Sequence, residues 1–216
     1  MRKNFFRRSS STPSGSAAPA RLLKLLLTAI TALPLAAAAH TGIENHIHAG
    51  FLAGFVHPLT GFDHLAVMLA VGLWSALAAR RAGADMLWGP VGFAAMLLLG
   101  AIAGLKGLQV PAVEPMIAAS LLVTGLLVIT RLRVPGIAAA LLVGVFAVFH
   151  GLAHGYELAG SADAAITLAG MLAATVLLHA TGLALGWALR SANVWVPRLA
   201  GAGVAVFGAL LLARLA

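Results

Sequence analysis

The chain contains no cysteine and little charge. Without cysteine, disulfides and thiolate ligands are both excluded, and with them soft-metal and redox-cysteine chemistry. Only 9% of the 216 residues are charged, whereas a soluble domain carries about 25%. That is too little to cover a water-facing surface. A mean hydropathy of +1.00 completes the picture of an all-α integral membrane protein, with no segment outside the spans long enough for a soluble domain. No Walker-type glycine-rich loop is present, and there is no room for an ATPase domain.

Acids are scarcer still. The formal net charge of +8 reflects 14 Lys and Arg against 6 Asp and Glu. Arg2, Lys3, Arg7, Arg8, Arg21 and Lys24 precede the first acid, so much of the excess is a targeting feature. The remainder is loop charge and not a nucleic-acid footprint.

Residues 1–39 read as a cleavable signal peptide. A basic region runs to Lys24, an apolar stretch from Leu25 to Leu35, and Ala37-Ala38-Ala39 offers a small-residue cleavage site. An uncleaved anchor is the rival reading, but the apolar stretch is short for a span. Residues 40–56 then form a His-containing periplasmic segment, and residues 57–216 a bundle of six transmembrane helices. The six apolar segments run Pro58–Ala79, Met86–Leu105, Val113–Thr130, Pro135–Leu158, Ala164–Leu189 and Trp195–Ala213, each near the ~20 residues a span needs. With residue 40 outside, Arg80, Arg81, Arg131, Arg133, Arg190 and Arg198 fall on the cytoplasmic side, and only Lys106 and Arg214 outside, as the positive-inside rule requires. The chain is thus expected in a bacterial inner membrane with its mature N-terminus periplasmic. Gly100-x-x-x-Gly104, Gly182-x-x-x-Gly186 and Gly201-Ala202-Gly203 mark close helix packing. Whether such faces also make a homo-oligomer is left open.

What the chain does have, inside its apolar segments, is two histidine clusters. One reads His57-Pro58-Leu59-Thr60-Gly61-Phe62-Asp63-His64, the other His150-Gly151-Leu152-Ala153-His154-Gly155-Tyr156-Glu157. Ionisable groups in a bilayer cost several kcal/mol unless paired or bound, so they mark function. Imidazole with carboxylate is a ligand set for a borderline divalent ion. Pro58 is expected to open the first helix, which puts Asp63 and His64 roughly 8 Å inside it. His150, His154 and Glu157 share one helical face by their i, i+4, i+7 spacing. They end the fourth helix on the same side of the membrane. Both clusters reach matching depths, so these two helices can present one site between them. Met68, one turn below His64, reads as packing.

Three further groups are less committed. His40, His46 and His48, with Glu44, lie just outside and form a candidate metal-gathering mouth; an ordinary polar lead-in is the alternative. Glu114, at the outer start of the third helix, either extends an outer funnel or faces water. His179 stands alone deep in the fifth helix, as an exit-path ligand or as packing.

The motif His57-Pro58-x-x-Gly61-x-Asp63-His64, continued by Met68-Leu69-Ala70-Val71-Gly72-Leu73-Trp74, resembles the signature of the HupE/UreJ family of small bacterial membrane proteins. The second cluster, His150-Gly151-x-Ala153-His154-Gly155-x-Glu157, matches that family's pattern too, as does the layout of signal, His-containing N-terminus and six helices. The resemblance implies uptake of nickel, and in some members cobalt, often tied to hydrogenase or urease maturation and to cytoplasmic metallochaperones. It implies metal handling by His57, Asp63, His64, His150, His154 and Glu157, and Glu114 is similar in position to an acid of that family.

The leading functional expectation is therefore a permease carrying Ni²⁺, or Co²⁺, from periplasm to cytoplasm. The ion is substrate rather than prosthetic group; membrane lipid is a further partner, beside the metallochaperones that the resemblance implies and the homo-oligomer left open. A membrane-embedded zinc hydrolase, and a metal sensor or accessory subunit, are the alternatives. His150-x-x-x-His154 alone resembles half a histidine box.

Overall fold

The computed structural model describes residues 50–216. The expected signal peptide, and His40, His46 and His48, lie outside the described residues. Everything described is helix or connection, with no strand. In order come α1 (Phe51–Thr60), α2 (Phe62–Ala78), a short 3-10 turn (Ala84–Met86), α3 (Trp88–Leu105), α4 (Val113–Thr130), α5 (Gly136–Glu157), α6 (Ala164–Ala188), a second 3-10 turn (Leu189–Ser191) and α7 (Trp195–Leu215). Helix is the form in which an apolar chain satisfies its own backbone without water. Proline punctuates it: Pro90, Pro115 and Pro197 occupy first turns, where a missing N–H costs nothing.

Five helices, α3 to α7, are long and apolar enough to cross a membrane. They agree with the expected segments to within a few residues. The first expected segment is different. Helix starts at Phe51 rather than at Pro58, and Pro58 lies inside α1 near its C-terminal end. The chain then breaks at Gly61, which is extended, and α2 leaves at 79° to α1. If the bent pair counts as one span, the total is six.

Tertiary contact explains why the proline does not begin the helix. Gly54 lies so close to the Thr167 backbone of α6 that a Cβ has no room. The Gly50 N–H, at the N-terminus of α1, donates to Thr167 Oγ1 at 3.0 Å. Packing on α6 thus holds a helical turn upstream of Pro58.

The helices associate in pairs: α3 with α5, α4 with α7, and α6 with both α1 and α2. Glycine allows each approach. Gly100 and Gly151 bring α3 and α5 together, Gly72 and Gly182 do so for α2 and α6, and Gly125 and Gly208 for α4 and α7. Gly203 has nothing near it and takes no part. The buried centre holds Val67, Val71 and Trp74 of α2, Phe93 of α3, Leu121 of α4 and Val143 of α5. Trp74 Nε1 donates to the Leu132 carbonyl at 2.9 Å, the kind of partner a buried indole requires.

Candidate metal centre

The break at Gly61 builds one half of the site. His57 lies in the last turn of α1, while Asp63 and His64 lie in the first turn of α2. A straight helix would hold residues 57 and 64 two turns, about 10 Å, apart along its axis. The bend instead brings the rings to 5.5 Å between centroids. α5 supplies the other half. Its His154 ring stands 4.8 Å from that of His57 and 4.6 Å from that of His64. One ligand nitrogen from each of His57, His64 and His154 falls within 4.8 Å of the others.

Three rings are out of water, His64 at 1% exposure, His154 at 2% and His150 at 0%, while His57 is partly buried. Two carboxylates orient them. Asp63 Oδ1 accepts from the His64 backbone N–H at 2.9 Å and from its Nδ1 at 2.8 Å. That leaves His64 Nε2 as the lone-pair nitrogen. Glu157 Oε2 lies 3.5 Å from His154 Nδ1, near enough to attract a hydrogen there electrostatically but too far for a hydrogen bond. His154 Nε2 and His64 Nε2 stand only 2.7 Å apart.

With hydrogen on Nδ1 of both rings, two lone pairs face each other in a dry site. A cation between them removes the repulsion; in its absence a proton must bridge. An ion held by both at about 2.0–2.1 Å in tetrahedral fashion would set them about 3.3 Å apart, a modest adjustment. The two carboxylates also match the charge of one divalent ion.

His150 lies deeper, its ring 5.0 Å from that of His64. Its Nε2 is 3.0 Å from Ser120 Oγ on α4, and that hydroxyl is 2.6 Å from the Ile117 carbonyl, to which it donates. The hydroxyl therefore accepts from His150 Nε2–H.

All six residues of the two motifs thus converge, with His57, His64 and His154 as potential ligands and Asp63 and Glu157 behind them. Glu114 does not join them: it is exposed in the first turn of α4. His179 is also separate, buried on α6 against Phe93 at 5.2 Å between centroids. Sequence reasoning missed Ser120 and Phe93. Ser120 carries a faint signal, as a hydroxyl in an apolar run; Phe93 carries none, being one apolar residue among many.

Comparison with known proteins agrees with the motifs. The family model described as "HupE / UreJ protein" matches residues 27–211. Protein HupE of Rhizobium leguminosarum bv. viciae is 42% identical over 190 residues, which cover 87% of this chain and 96% of that protein. No solved structure matches the chain.

Proposed function

The chain belongs to the HupE/UreJ family, and from that premise we propose that it is a permease importing a divalent transition-metal ion, nickel foremost and cobalt next. The observation that carries the proposal is the pair of buried Nε2 atoms 2.7 Å apart on His64 and His154, each ring backed by a carboxylate. His57 completes a three-nitrogen set, and His150 lies next inward. A site of neutral imidazoles suits borderline ions over Mg²⁺ or Ca²⁺, which prefer oxygen.

The bent α1–α2 pair serves as the first of six spans in this proposal. The cluster then opens on the periplasmic side, because the loops and helix ends holding Arg80, Arg81, Arg131, Arg133, Arg190 and Arg198 sit at the other end and read as cytoplasmic. A cleaved signal peptide over residues 1–39 would deliver His40, His46 and His48 to the same outer side, where they gather the ion. Cytoplasmic metallochaperones receive it.

Radiolabelled nickel uptake in vesicles tests this, with unlabelled cobalt, zinc, manganese and magnesium as competitors. Wild type is expected to show saturable uptake, and His64→Ala to abolish it. Absence of uptake by correctly inserted wild-type protein sinks the proposal.

A further inference from the structure

Buried polar atoms without hydrogen bonds are costly and correspondingly rare. Among the described residues, five such atoms lie inward of the cluster; apart from Nε and Nη2 of Arg131, beyond the C-terminal end of α4, three follow one another: His150 Nδ1, His179 Nε2 and Ser75 Oγ. All three residues are at least nine-tenths buried, at 0%, 3% and 7% exposure.

Their order is set by the helices. The His150 ring is 5.0 Å from His64 and 5.8 Å from Phe93. Phe93 in turn meets His179 edge-on at 5.2 Å. The His179 backbone abuts Gly72 of α2, eight residues and so about 12 Å below His64. Ser75 follows one turn further along α2. It lies against Gly89, where a Cβ would collide with its hydroxyl, and it lines a cavity of about 440 Å³ shared with Arg80, Asp85, Arg133 and Ala139. That cavity is at the opposite end of α2 and α5 from the three-histidine cluster.

We propose that this line is the ion's route inward: His150 takes the ion from the cluster through Nδ1, Phe93 is the barrier, and His179 Nε2 receives it above the Ser75 cavity. The proposal rests on the permease reading and adds the path to it. Ser120 is a positioning residue here. By accepting from Nε2–H it holds His150 in the tautomer whose Nδ1 is a lone-pair ligand. Single imidazoles bind a divalent ion weakly, which suits a route that must release what it takes up. The electron-rich face of the Phe93 ring attracts a passing cation, which lowers the barrier without removing it. The arginines around the cavity disfavour retention there and promote release.

The test pairs nickel uptake with equilibrium nickel binding to purified full-length protein. His179→Gln is expected to cut the maximal uptake rate about tenfold or more while leaving affinity at the outer cluster within about twofold. Retained binding also reports that the variant is folded. Ser120→Ala should lower the rate in the same way, and Ser120→Thr should restore it. Ser75→Cys, the sole thiol in the variant, should react with an impermeant thiol reagent from the Arg80 side, and uptake should stop once it has reacted.

Wild-type uptake rates in His179→Gln and Ser120→Ala, with uptake abolished in His64→Ala, would overturn the route and leave the permease standing. So would a Ser75→Cys protein that fails to react or transports normally after reaction. Absence of uptake by wild type would instead remove the permease reading itself.

Discussion

At the scale of single residues, the two carboxylates do unequal work. Asp63 is largely shielded and makes two short hydrogen bonds to His64, whereas Glu157 is half-exposed and stands 3.5 Å from its imidazole. A shielded carboxylate that fixes a ligand's tautomer is worth roughly 10–100-fold in metal affinity. Asp63→Asn is therefore expected to weaken Co²⁺ binding by at least about tenfold, and Glu157→Gln by only a few-fold, because water screens the longer pair. Titration of Co²⁺ followed by its visible absorption measures both. A larger loss in Glu157→Gln than in Asp63→Asn would reverse the assignment of the two acids. Ser120 belongs at this scale too, since one hydroxyl decides which nitrogen of His150 is free.

At the scale of elements, the paired helices depend on glycines that sit against neighbouring backbone. A Cβ on Gly151 of α5 would run into the Leu97 carbonyl and the Ala101 nitrogen of α3. Backbone cannot step aside as a flexible side chain can, so overpacking there should cost at the upper end of about 1–3 kcal/mol or beyond. Gly151→Leu is expected to lower thermal stability in detergent sharply. It should also lose metal binding, because α5 carries His150 and His154. Gly203→Ala, in a helix with open space around that position, should match or slightly exceed wild-type stability, as Ala is the better helix former. Equal melting temperatures for Gly151→Leu and wild type would show that the α3–α5 approach is not what holds α5 in place.

At the scale of the whole molecule, basic residues divide by end. Loops and helix ends on one side carry Arg80, Arg81, Arg131, Arg133, Arg190 and Arg198; the described residues at the other end carry Lys106 and Arg214. Because the chain lacks cysteine, any introduced thiol is a unique reporter. Arg81→Cys should be labelled by an impermeant reagent only in inside-out vesicles, and Lys106→Cys only in right-side-out vesicles or intact spheroplasts. Labelling of both from one side would contradict the proposed orientation and the direction of transport with it.

The sequence alone determined the all-helical, apolar class of the protein and the five helices from α3 to α7, and it singled out the six motif residues that the proposed site uses. Each of these rests on local physics. Long apolar runs can only be helix in lipid, and ionisable groups inside such runs are too costly to be incidental. The i, i+4, i+7 spacing on α5 set His150, His154 and Glu157 on one face before any packing was known. Tertiary structure decided what spacing cannot encode. Packing of Gly54 and Gly50 on Thr167 carries helix upstream past Pro58, and the 79° bend after it folds His57 onto His64. Helix pairing brings Ser120 to His150 and Phe93 between His150 and His179, and it leaves Glu114 outside. Those outcomes depend on which helices approach closely enough for backbones to touch, a property of pairs of segments and not of any one of them.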